Sequence, residues 1–189
     1  MASFEYGLNY LEAGLEILES YLLSKELYWP IGIRAPRGKM PYPKFTLGNL
    51  LLEQVKVHAL CQTLKQELLL EEVSKKISTV HNKWRIAWNK KASHEFQARL
   101  SLWSNFINEY RKDPEANYDR YRYEVSRRVL LELLSGYLDD EMETEHTLLK
   151  GLDQYLESVL VSSDFIWDPD LISQFPYKPY WYLYGLLKA

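Results

Sequence analysis

One cysteine in 189 residues excludes an internal disulfide. Cys61 falls in the apolar-periodic stretch LLLEQVKVHALCQTL, where a buried, unreactive thiol is expected. No run of about 18 uncharged apolar residues occurs, so no transmembrane helix is expected. The opening MASFEYGLNYLEAG has neither the basic flank nor the continuous apolar segment of a secretory signal. A cytoplasmic chain without a membrane partner is the expectation. There is no alternating β-branched run, repeat or low-complexity tract, which excludes sandwich, solenoid and disordered classes. Glycine and proline are missing altogether between Asn49 and Asp113, whereas four of the eight prolines crowd into YWPIGIRAPRGKMPYPKF, residues 28–45.

Complete chemical motifs are also missing. In GIRAPRGKM, Gly32 and the Gly38–Lys39 pair imitate a phosphate loop. However, five residues separate the glycines, Met40 replaces the magnesium-holding Ser or Thr, and no buried strand precedes them. Glu143 and His146 make one Glu-x-x-His step, but a di-iron bundle needs two such steps and two further glutamates, so no metal and no cofactor are expected. His94 and Glu95 would point about 100° apart on a helix and make no pair, and His58, between Val57 and Ala59, reads as a satisfied core histidine. No nucleophile is accompanied by a base and an orienting group, so no catalytic residue is assigned and an enzyme is the less favoured class.

What the chain does have is aromatic residues, 14% of the total with fifteen Tyr, six Trp and six Phe, and helical periodicity. Phe4, Leu8, Leu11, Leu15, Leu18 and Leu22 alternate steps of four and three behind a capping Ser3. The resulting expectation is an all-α, antiparallel bundle in one domain of about five main helices. These span approximately 4–27, 47–70, 74–112, 114–138 and 142–161, with a long Pro-rich loop after the first helix and an irregular aromatic segment at 162–189. Thr46 caps the second helix and Asp113–Pro114 opens the fourth. The break in the Gly- and Pro-free stretch is expected near Leu70 to Ser74, and the acidic run Asp139 to Glu145 suits the start of the fifth helix.

Val73, Ile77, Val80, Trp84, Trp88, Ala92, Phe96, Arg99, Trp103, Phe106 and Tyr110 advance by about 3.7 residues per step, near the straight-helix period. Such a stripe predicts core. Beside it, Lys76, Lys83 and Lys90 stand seven apart, as do Glu5, Glu12, Glu19 and Glu26 on the first helix. If those helices are parallel neighbours, the two ladders satisfy each other. Gly7 and Gly14 have the same spacing and allow a helix to approach the first one closely.

The net charge of −3 hides a dipolar chain. Residues 28–46 hold four bases and no acid, and residues 73–112 hold nine bases against two acids, whereas 139–189 hold three bases against ten acids. Arg34, Arg37, Lys39 and Lys44 on the loop, with Lys76, Lys83 and Lys90, are therefore candidate anion or nucleic-acid contacts. Tyr177, Tyr180, Trp181 and Tyr184 in the tail are candidate partner contacts, or else a lid over the bundle. The leading expectation is a non-enzymatic helical protein acting through protein contacts, with itself or a partner. A nucleic-acid binder using loop 28–45 and helix 73–112 comes second, and a bundle holding a metal or small ligand comes third.

Overall fold

The computed structural model describes residues 3–138 and 142–189 and is all-α. Helix α1 covers Phe4–Leu23, α2 Leu47–Ala59, α3 Leu64–Lys83, α4 Arg85–Lys112, α5 Pro114–Asn117, α6 Tyr121–Ser135 and α7 Glu143–Val159. One two-stranded antiparallel ribbon joins β1, Val161–Ser162, to β2, Gly185–Leu186. Its register sets Val161 opposite Leu186.

Caps explain most boundaries. Ser3, Thr46 and Asp113 each accept a hydrogen bond from the backbone N–H three residues on, as their sequence positions predict. α1 stops at Leu23, short of 27, because the Ser24 hydroxyl turns back onto the Tyr21 carbonyl at 2.8 Å and its backbone becomes extended. The expected break at 70–74 lies instead at 60–63. There Thr63 accepts from Gln66 N–H at 3.3 Å while Gln66 Oε1 accepts from Gln62 N–H at 2.9 Å. This near-reciprocal capping box is spelled TLKQ in the sequence and starts a helix within the Gly- and Pro-free run.

The expected 74–112 helix is divided at Trp84, whose φ of −115° and ψ of 31° leave the helical region. Hydrogen bonds from Trp84 N–H to Val80 O and from Trp88 N–H to Trp84 O bracket this kink. The expected 114–138 helix is the single turn α5, a 3₁₀ turn over Tyr118–Arg120, and then α6. The acidic start assigned to residues 139–141 lies outside the described residues, and α7 begins with Glu143 and Glu145 in its first turn.

The aromatic stripe is core on both sides of the kink. Val73, Ile77, Trp88, Ala92, Phe96, Trp103, Phe106 and Tyr110 are all buried, Trp103 completely, whereas Val80, Trp84 and Arg99 of the expected stripe are only half-buried. Trp88 packs against His81 and Tyr137 at ring-centroid distances of 4.9 and 5.6 Å. Trp88→Ala is therefore expected to cost about 3 to 5 kcal/mol of stability. A denaturant midpoint equal to wild type would show that the indole is not a core group.

Glycines set the closest helix approach. A Cβ at Gly14 would lie 2.6 Å from the Phe45 ring, and one at Gly7 would collide with Val57, so α2 and Phe45, two residues ahead of it, occupy the groove that the seven-residue glycine spacing leaves on α1. The hydrophobic cluster built on these contacts runs from Phe4 to Leu187. Among the described residues, no helix is long and apolar enough to cross a membrane.

Candidate contact surfaces

Four charged side chains are buried among the described residues; Glu124 pairs with Arg120 and Arg127, and the other three, Glu95, Lys91 and Arg128, tie elements together. Glu95, fully buried on α4, accepts from Gly48 N–H in the first turn of α2 at 2.9 Å and from Arg99 Nε and Nη2 at 3.2 and 3.1 Å. A negative charge there meets the positive end of the α2 dipole. Gly48 makes room for it, since a Cβ would stand 2.7 Å from Glu95 Oε1. Lys91 donates to the Ser24 and Glu26 carbonyls at 2.9 and 2.8 Å, with its ammonium 4.5 Å from the Tyr21 ring centroid. It thereby satisfies two carbonyls of the turn that follows α1; burial lowers its pKa, and the neighbouring Glu26 opposes that. Arg128 on α6 makes paired 2.9 Å bonds to both Asp153 oxygens on α7, reaches Glu132 at 2.9 Å and lies 4.7 Å from the Tyr182 ring centroid. Desolvation is the largest single influence and opposes its charge, but the Asp153 hydrogen bonds together with the fields of Tyr182, Asp153 and Glu132 outweigh it and raise its pKa. Each of these groups holds elements together and is sealed from a ligand.

The basic candidates divide into two sets. Lys83 bridges to Glu19 at 3.1 Å, and Lys76 bonds Glu72 on its own helix at 2.6 Å. Leu15, Glu16 and Glu19 of α1 line one shallow depression with Lys76, Thr79 and Val80 of α3, so residue numbers rise together along this seam. The two ladders thus meet at one rung, Glu19–Lys83. Lys90 lies beyond the Trp84 kink on α4, which packs mainly on α6, and cannot continue the ladder.

Loop 30–44 is a closed excursion. Trp29 and Phe45 form an antiparallel bridge at its base, with N–H···O distances of 3.0 and 2.7 Å, and the Tyr21 ring sits edge-on to both side chains. The returning limb is tied to α1: Tyr6 OH donates to Pro41 O, Tyr42 OH to Tyr6 O and Tyr10 OH to Lys44 O. At the tip, Lys39 N–H donates to Pro36 O at 3.0 Å, and Gly38 at φ 82° takes the left-handed position of this β-turn. Arg34, Arg37, Lys39, Lys44 and Met40 are exposed, Met40 to 79%. Arg34, Arg37 and Lys44 stand in no ion pair among the described residues.

The aromatic tail folds back onto the bundle. Ser163 N–H donates to Tyr184 O, Ile166 N–H to Leu183 O, Tyr121 OH to Tyr182 O at 2.7 Å and Tyr110 OH to Lys188 O at 2.9 Å. Phe175, Tyr182 and Leu183 are completely buried. Tyr180, expected as a contact residue, is buried against Phe175 and Tyr182 and belongs to the lid. The other three tail candidates come together: Tyr177, Trp181 and Tyr184 line an open depression of 380 Å³ with Leu160, Ser162, Lys178 and Glu157. Tyr177 meets Tyr184 edge-on at 5.5 Å, and the Tyr184 hydroxyl is anchored on Phe175 O at 2.6 Å. Glu157 and Ser162 were missed from sequence because only the β1–β2 pairing brings the end of α7 beside residues 177–184.

A groove between α2 and α3 has a volume of 650 Å³ and includes His58, Cys61, Glu67 and Glu71; a second depression of 300 Å³ shares His58 and Ser74 with it. His58 is exposed rather than core, and Cys61 is half-buried, because the chain leaves helix at Leu60. Among the described residues, no three His, Cys, Asp or Glu side chains gather as a metal site. His146 packs on Phe96 at 5.7 Å, and Glu143 remains exposed in the first turn of α7. Comparison of the chain with family models, curated proteins and solved structures finds no match.

Proposed function

We propose that this is a non-enzymatic protein that works by binding other polypeptides, with loop 30–44 as its principal contact surface. The observation that carries this reading is the loop's combination of order and unused charge. Its base is bridged and its returning limb hydrogen-bonded, while Arg34 and Arg37 at the tip have no acidic partner among the described residues. An ordered loop loses little entropy on binding, and arginine with an exposed methionine suits an acidic surface containing an apolar pocket. Nucleic acid is the less supported partner. Two of the seven cations expected on such a face, Lys76 and Lys83, are engaged by Glu72 and Glu19.

The test is capture from native cells with the tagged full chain, comparing wild type with Arg34→Glu/Arg37→Glu in the presence of nuclease. A set of proteins should be retained by wild type and lost from the variant. Identical captured proteins in both would refute the loop as a contact surface. Capture abolished by nuclease alone would transfer the function to nucleic acid, with the steep salt dependence of phosphate contacts.

A further inference from the structure

We infer that the depression formed by Glu157, Tyr177, Trp181 and Tyr184 receives the Arg34–Arg37 tip of a second copy of this chain, and that reciprocal docking makes a two-fold dimer. This rests on the reading of loop 30–44 as a contact surface and names its partner.

The two surfaces are complementary in charge and chemistry. The loop segment 28–46 has four bases and no acid, and the depression sets one exposed carboxylate, Glu157, beside three aromatic rings. Glu157, on its wall, is exposed and in no ion pair among the described residues. Aromatic faces beside a carboxylate attract guanidinium strongly, through the ring quadrupole and the opposite charge together. Elsewhere the protein already uses this pairing, with Arg128 against Tyr182 at 4.7 Å and Arg111 against Tyr155 at 5.3 Å. The rings of Tyr177, Trp181 and Tyr184 carry no cation among the described residues.

Lys178 also borders the depression and sets the register. Its like charge repels an incoming arginine and confines it to the Glu157 side. No hydrogen bond, ion pair or ring contact among those described joins the loop tip to the depression within one chain, so the pairing is available between copies. Insertion of both loops at once makes the interface isologous, every contact occurring twice, and closes the assembly at two copies.

The experiment is sedimentation velocity of the full chain over a concentration series at low and physiological salt, with circular dichroism to verify folding of each variant. Wild type should dimerise reversibly and more weakly as salt rises. Arg34→Glu/Arg37→Glu and Glu157→Lys, all at exposed positions, should each weaken the dimer at least about tenfold. Lys178→Glu should tighten it severalfold. An equimolar mixture of the loop-reversed and Glu157→Lys proteins should regain a dimer, because each acidic loop then faces a basic depression and each basic loop an acidic one. A wild type that stays monomeric, a dimer indifferent to both reversals, or a mixture that fails to recover would each overturn the inference. A monomeric wild type whose capture of another protein still depends on Arg34 and Arg37 would overturn the dimer alone and leave the contact loop standing.

Discussion

Above about pH 10 the protein should unfold cooperatively, with phenolate absorbance rising in the same transition as helix is lost. Four tyrosines produce this effect. Tyr10, Tyr21, Tyr121 and Tyr182 are at most 1% exposed, and burial is the largest cause of the rise in each of their pKa values above the usual phenol range. Nearby carboxylates add to it, Glu53 and Glu95 for Tyr10 and Asp153 for Tyr121. Three of the four hydroxyls donate to carbonyls, Tyr121 to Tyr182 O, Tyr21 to Leu27 O and Tyr10 to Lys44 O, and a phenolate would forfeit those bonds.

The sign follows from proton linkage. Below the unfolded-state value of about 10, folded and unfolded chains bind these protons equally and stability is fully present. As pH rises past it, the unfolded chain releases protons that the folded chain retains, so stability falls. One pH unit above the unfolded value, each such group removes roughly 1.4 kcal/mol, and four remove about 5.6 kcal/mol. A domain has only about 5 to 15 kcal/mol in total. Ionisation of all fifteen tyrosines in one gradual step, with helix intact, would contradict the buried placement.

Glu95→Lys should leave no folded protein. The carboxylate is the only acidic group bonded to the first turn of α2 among the described residues, and it is fully buried beside Arg99, whose side chain is 12% exposed. Reversal puts two cations together in a desolvated site against the positive end of a helix dipole, and it orphans the Gly48 N–H. Breaking a buried pair by removing one partner costs about 3 to 5 kcal/mol, and an added like charge costs more. Glu95→Gln is the graded control. It preserves an acceptor for Gly48 but loses the charge, so it should fold with a midpoint lower by roughly 1.5 to 3 kcal/mol. Loss of helical circular dichroism in the lysine variant, with retention in the glutamine variant, is the expected pattern. A lysine variant as stable as wild type would mean that Glu95 is solvated.

Periodicity and capping chemistry were legible without coordinates because both are short-range. The leucine steps of α1, the aromatic stripe from Val73 to Tyr110, and the caps Ser3, Thr46 and Asp113 each depend on residues a few positions apart. Composition also identified the loop and the dipolar distribution of charge, since these are sums over contiguous residues. The TLKQ capping box was equally local and could have placed the break at 60–63. The kink at Trp84 had no such signal, because neither proline nor glycine marks it.

Tertiary structure alone decided which charges are used and which remain available. Glu95 and Glu157 are chemically identical, yet one is sealed under the first turn of α2 and the other borders an open depression, because burial depends on which elements pack on a residue. Lys83 and Lys90 belong to one sequence ladder, but the kink between them gives only Lys83 a glutamate across the seam. Tyr180 and Trp181 are adjacent in the chain, and the fold-back of the tail onto α6 buries the first while leaving the second beside Glu157. Neighbours in sequence share composition, but they do not share solvent, and exposure to solvent is what determines whether a ring or a charge can meet a partner.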